Sequence, residues 1–175
     1  MSKRNDIKIA DEIEYFVRDK NGNVKKHYKS NTLVSKLLKA LHLKPKNCMT
    51  NAGFAEVAGL MLTDVGGTAF DYIAIGTGTN AAAATDTALQ TEIKRKAGTG
   101  TRVTTTVTND TAQLTATFSS ADGLSGSSAV TEVGMFNASS SGTMLMRQTF
   151  AAENMNWDAG DSLQMIVKIQ CKQGT

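Results

Sequence analysis

The chain has 175 residues, enough for one domain with a proper core, and its 41% hydrophobic and 20% charged residues are those of an ordinary globular protein. A formal charge of +3 is too small to argue for a nucleic-acid partner by itself, and no apolar run approaches the length that spans a bilayer. The two cysteines, Cys48 and Cys171, lack metal-type spacing, and the two histidines, His27 and His42, have no carboxylate or cysteine in register, so no metal centre, cofactor site or Ser–His pair is expected.

Met1-Ser2-Lys3-Arg4 runs into polar residues rather than an apolar signal core, and the expectation is folding in a reducing cytoplasm. Ile7 to Val17 is rich in β-formers and leads to Asn21-Gly22, a strong hairpin signal, with Val24 to Lys29 as the returning strand. Thr32 to Leu43 reads as an amphipathic helix: Asn31 caps it, Leu33, Leu37, Leu38 and Leu41 share one face, and Lys44-Pro45 ends it. Asn47 to Gly53 reads as loop and Phe54 to Leu62 as a strand. Phe70 to Ile75 is a compact β-run entering Gly76-Thr77-Gly78-Thr79, after which Thr85 or Asp86 caps a short helical turn burying Leu89 and Ile93.

From residue 101 a two-residue period takes over. Val103, Thr105 and Val107 share one face, Asn109-Asp110 turns the chain, and Leu114, Ala116 and Phe118 share the facing side. Val130 to Phe136 and Thr143 to Phe150 form a second pair. In the last strand Leu163, Met165, Val167, Ile169 and Cys171 define a buried face, with Ile166 the exception on the other. The expected fold is mainly β: an antiparallel β-sandwich or jelly-roll-like domain over 47–175, with 1–46 forming a hairpin and helix packed on or extending from the core.

Gly76-Thr77-Gly78-Thr79 follows a strand but lacks the lysine of a Walker loop and the third glycine of a dinucleotide fold. Its glycines are expected to let the backbone turn or approach a neighbour. Glu132 and Arg147 lie on consecutive strands, as a cross-strand ion pair or as charge held at a subunit boundary. Lys25, Lys26 and Lys29 belong to a basic first third, read as a solvated face or as a docking element separate from the sandwich. Asp64, Asp71, Asp86, Asp110 and Asp161 sit at turns or caps. Asn137-Ala138-Ser139 fits the glycosylation pattern, but nothing suggests secretion.

Several stretches together resemble small structural proteins of tailed bacteriophages and prophages. They are Val17 to Gly22 with the Asn31–Leu41 helix, Tyr72 to Thr79, Ala84 to Leu89, Thr131-Glu132-Val133-Gly134-Met135-Phe136-Asn137, Gly142 to Phe150, and Gly160-Asp161-Ser162-Leu163. Their order spans most of residues 15–170, with one departure: Ala151 to Trp157 stands where that pattern has a proline-containing connection. The resemblance implies a non-enzymatic particle component at a capsid, neck or tail position, partnered by itself and other virion proteins and assembled in the host cytoplasm. The alternative is a carbohydrate- or receptor-binding module of a phage fibre, using Tyr28, Tyr72 and Trp157 as stacking aromatics.

Overall fold

Strands that alternate apolar and polar residues bury one face only, so they need a second layer to cover that face. The computed structural model describes residues 7–30, 48–62 and 65–173. Two five-stranded antiparallel sheets result. The first has the order β2-β1-β10-β7-β6, from β1 (Ile7–Arg18), β2 (Val24–Lys29), β6 (Thr99–Val103), β7 (Thr111–Phe118) and β10 (Ser162–Gln173). The second has the order β3-β9-β8-β4-β5, from β3 (Cys48–Met49), β4 (Tyr72–Gly76), β5 (Glu92–Ala97), β8 (Ser127–Phe136) and β9 (Met144–Asn156).

One core joins them. Ile13, Tyr15 and Val17 of β1, Leu114, Ala116 and Phe118 of β7, and Leu163, Met165 and Val167 of β10 meet Ile73, Ile75, Val130 and Val133 of the second sheet. The period-2 faces of β7 and β10 are therefore as the sequence predicts up to Val167. Beyond it Ile169 is only half-buried and Cys171 is exposed, contrary to expectation. The reason is geometric: β1 still runs beside β10 there, but the core between the sheets ends at Val167 with Ile169 packed at its margin, so no second layer covers Cys171.

The predicted N-terminal hairpin is present, and it is part of the first sheet, since β1 lies between β2 and β10. Its turn is held by Asp19, whose Oδ1 accepts the N–H groups of Asn21 and Asn23 at 2.9 Å each. Gly22 takes the left-handed φ of 82° that the turn requires. The helix predicted over Thr32 to Leu43 lies outside the described residues.

Three other expectations are corrected. Phe54 to Leu62 is not a strand: Asn51–Leu60 is an α-helix, α1. Thr50 starts it by accepting the N–H of Gly53 at 2.8 Å while donating to the carbonyl of Met144, which ties the cap to β9. No helical turn follows Asp86; the 77–91 segment is an irregular loop that lays the buried Leu89 on the outer side of the second sheet. Strand β6 ends at Val103, and Thr104 to Asn109 wraps instead around the Asp110 carboxylate, leaving Val107 exposed. The stretch Ala151 to Trp157 extends β9 and delivers Trp157 to the core, fully buried, its Nε1 donating to Ser128 Oγ at 3.1 Å.

Candidate functional site

Glu132 and Arg147 meet inside the chain, on the outer side of the second sheet beneath the 77–91 loop. Glu132 faces Thr149 and Arg147 faces Gly134, so the pair is diagonal across the β8–β9 ladder. Arg147 Nε donates to Glu132 Oε2 at 2.8 Å, with Nη2 at the same distance from that oxygen, and Nη1 donates to Asp86 Oδ2 at 2.9 Å. The Glu132 side chain is 0% exposed and that of Arg147 3%. The exposed pair of the simplest sequence reading becomes a buried one, with both charges supplied by this chain.

The loop completes the coordination. Glu132 Oε1 accepts the N–H groups of Gly78 at 2.9 Å and Thr91 at 2.8 Å, and Oε2 accepts that of Gln90 at 3.0 Å. Thr131 Oγ1 donates to the Gly78 carbonyl at 2.7 Å. A Cβ on either Gly76 or Gly78 would stand 2.5 Å from Glu132 Oε1, so both glycines make room for the carboxylate. The phosphate-loop look of Gly76 to Thr79 has a physical basis: the Gly78 amide, with those of Gln90 and Thr91 at the loop's other end, binds an anion, and the anion is an internal glutamate. Burial pushes the Glu132 carboxyl up, but the bonds from Thr91, Gln90, Arg147 and Gly78 outweigh it and hold its pKa below the ordinary range. Burial likewise works against the Arg147 charge, and the bonds to Asp86 and Glu132 raise its pKa in spite of it.

A second arginine, not singled out by the sequence, secures the same layer. Arg95 Nη1 donates to the carbonyls of Ala138 at 3.1 Å and Ser141 at 2.7 Å, and its guanidinium sits 3.5 Å over the Phe136 ring. Asn137, the glycosylation candidate, is engaged in structure: its amide accepts from Thr143 N–H at 2.7 Å and donates to Glu56 at 3.0 Å.

The three lysines do not join this cluster; each pairs with a carboxylate of β1, of β9 or of the turn that leads into β10. Lys25 bonds Asp161 at 2.9 Å, Lys26 bonds Glu153 at 2.6 Å and Lys29 reaches Glu12 at 3.2 Å. Glu153 also accepts the hydroxyl of the buried Tyr15 at 2.5 Å, a contact that no sequence spacing signals. Lys29 belongs to a charged strip on the outer face, where Lys168 bridges Glu12 and Glu14, and His27 bonds Glu14 at 2.8 Å while stacking on Phe16. The lysine heads are partly exposed, so each pair stabilises by under about 1 kcal/mol. Beside the strip runs a polar groove of about 480 Å³ lined by Glu12, Lys29, Gln113, Lys168 and Gln170.

Stability should follow the carboxylates. Glu132, Glu14 and Asp161 are all net depressed: burial raises each, and it is outweighed by backbone donors and Arg147 at Glu132, by His27 and Lys168 at Glu14, and by Lys25 at Asp161. A depressed folded pKa adds stability above the unfolded value and loses it as pH falls through the folded one. Urea midpoints are therefore expected to be level at neutral pH and to drop steadily below about pH 4.5. Burial and the Glu153 bond push Tyr15 the other way, so a second loss is expected above about pH 10, where the unfolded phenol ionises. Midpoints unchanged down to about pH 3 would show that these carboxylates gain nothing on folding.

Of the aromatics needed for a sugar platform, Trp157 is fully buried, Tyr28 stacks on Tyr15 with ring centroids 4.9 Å apart, and Tyr72 is half-buried against Ala74, Leu89, Phe136 and Met144. Comparison with protein-family models, with curated proteins and with solved structures finds no match to this chain.

Proposed function

We propose that this chain is a structural component of a tailed-phage virion, at a capsid-decoration, neck or tail position, that works by protein–protein assembly and not by catalysis. In this reading its two sheets form a β-sandwich of jelly-roll-like type. Its partners are further copies of itself and other virion proteins, met in the host bacterial cytoplasm.

One observation carries the reading. Four of the segments through which the sequence resembles those proteins converge on a single buried ion pair, Glu132 with Arg147: Gly76 and Gly78 against Glu132, Asp86 bonded to Arg147, Thr131-Glu132, and Arg147 itself. Glu132 accepts bonds from three backbone amides and a guanidinium, which leaves it neither the free lone pairs nor the raised pKa of a general base. The shared residues are those of a scaffold. The basic first third contributes through the fold as well, because its hairpin supplies core residues and Lys25, Lys26 and Lys29 are paired internally.

The test is compositional. Particles of the phage or prophage carrying this sequence, purified on a density gradient, should contain the chain at a fixed copy number relative to the major capsid protein. Its absence from intact particles, with the chain remaining in the soluble lysate, would overturn the proposal. The fibre-module reading has less support, since the buried Trp157 and the packed Tyr28 and Tyr72 present no stacking platform.

A further inference from the structure

The apolar surface left outside the core is concentrated in one place. Five of the seven large hydrophobic side chains exposed among the described residues fall between positions 54 and 65: Phe54 (49%), Leu60 (45%), Met61 (69%), Leu62 (64%) and Val65 (62%). Helix α1 and the turn after it carry them, with Ala52, Ala55 and Ala58 exposed alongside. The only charge on α1 is Glu56, and it is turned to internal work: its Oε1 accepts from Thr68 N–H at 2.6 Å and from Asn137 Nδ2 at 3.0 Å. The crest of the helix is therefore uncharged. Beside it opens a groove of about 690 Å³ whose near wall is Val57, Leu60, Phe70 and Leu145, and whose far wall includes Arg102.

We infer that this face is the contact through which the chain associates with a second copy of itself. The inference rests on the reading of the chain as an assembly component and names the surface that such a component would use. Three features select a like copy as the occupant. The five side chains expose on the order of 500 Å², the upper end of what a monomer leaves in water. With the adjoining alanines and groove wall this approaches the roughly 800 Å² per partner of a specific interface. The crest residues Phe54, Met61 and Leu62 carry no charge and the groove presents one charge of each sign, Asp71 and Arg102, so two copies meet without net like-charge repulsion. Crest and groove also lie side by side on one face, so a two-fold axis between them sets each crest into the other copy's groove, the self-complementary arrangement of an isologous dimer.

The experiment uses the purified full chain in sedimentation equilibrium, with Met61→Asp and Leu62→Asp as variants. Both positions are more than half exposed, so circular dichroism and the urea midpoint should match the parent. The parent is expected to be a dimer or a higher even oligomer, and each variant to raise the dissociation constant at least about a hundredfold. Deuterium exchange over 51–62 should slow with rising concentration in the parent and stay fast in the variants. A parent that is monomeric throughout, or variants that associate as the parent does, would overturn the inference. Particle composition is read separately: a chain absent from particles but still self-associating through α1 removes the virion reading and leaves this contact standing.

Discussion

Replacing Arg147 by methionine is expected to lower the unfolding free energy by about 3–5 kcal/mol, the cost of leaving a buried carboxylate without its countercharge. The side chain of Glu132 has no route to water, being 0% exposed, and Asp86 loses the same partner. Three backbone amides would still solvate Glu132, which argues for the lower part of that range. Paired removal, Glu132→Gln with Arg147→Met, should cost less than the two single changes together, because the uncompensated charge disappears. Urea unfolding of the four proteins, read as midpoints at unchanged slope, closes the cycle. A loss below about 1 kcal/mol for Arg147→Met would mean that the guanidinium behaves as a surface group and that the cluster is not a lock.

Placing aspartate at Val167 should remove the folded state. Val167 is 0% exposed and sits on β10 between Ile13 of β1 and Leu114 of β7, so the new carboxylate would have apolar neighbours on both sides and no donor. The desolvation of an unpaired charge, several kcal/mol, adds to the lost apolar burial, and the sum is comparable to the whole stability of about 5–15 kcal/mol typical of such a domain. Gln164→Asp, on the half-buried outer face of the same strand, is the matched control and should cost under about 1 kcal/mol. A soluble Val167→Asp protein with a cooperative transition would show that β10 turns its other face inward.

What could be read from the sequence follows from how local each signal is. The β7 and β10 faces were legible because alternation is written into neighbouring residues and needs only a covering layer. It misleads at Cys171, where the pattern continues and the cover does not. Helix α1 has little periodicity, with Ala, Gly, Val and Leu spread around it, and its apolar run imitates a strand; Thr50, three residues before Gly53, was the local sign of a cap. The Glu132–Arg147 pairing was legible as strand placement. Its burial was not, because the covering loop and three of the four donors to Glu132 come from residues 78–91, more than forty positions earlier. Lys25, Lys26 and Lys29 read as free charge for a related reason: their partners Asp161, Glu153 and Glu12 are, for two of the three, more than 120 residues distant.

The pairing of β1 with β10, in which Ile7 meets Gln173, bears on how the protein is made. On the ribosome the first sheet must wait for its central strand, since β10 begins only at Ser162 while β1 ends at Arg18. At 5–20 residues per second the wait after β1 emerges is on the order of ten seconds. The second sheet starts sooner, since β4 and β5 pair as a local hairpin, and all of its strands precede Ser162. During that interval β1 has β2 on one edge only, along Glu14–Arg18, and its other edge, with Ile13, Tyr15 and Val17 uncovered, is a template for the wrong partner. Glu12 and Glu14 alternate with those residues, and in the nascent chain their charge would keep the waiting strand in solution until Lys168 arrives to meet it.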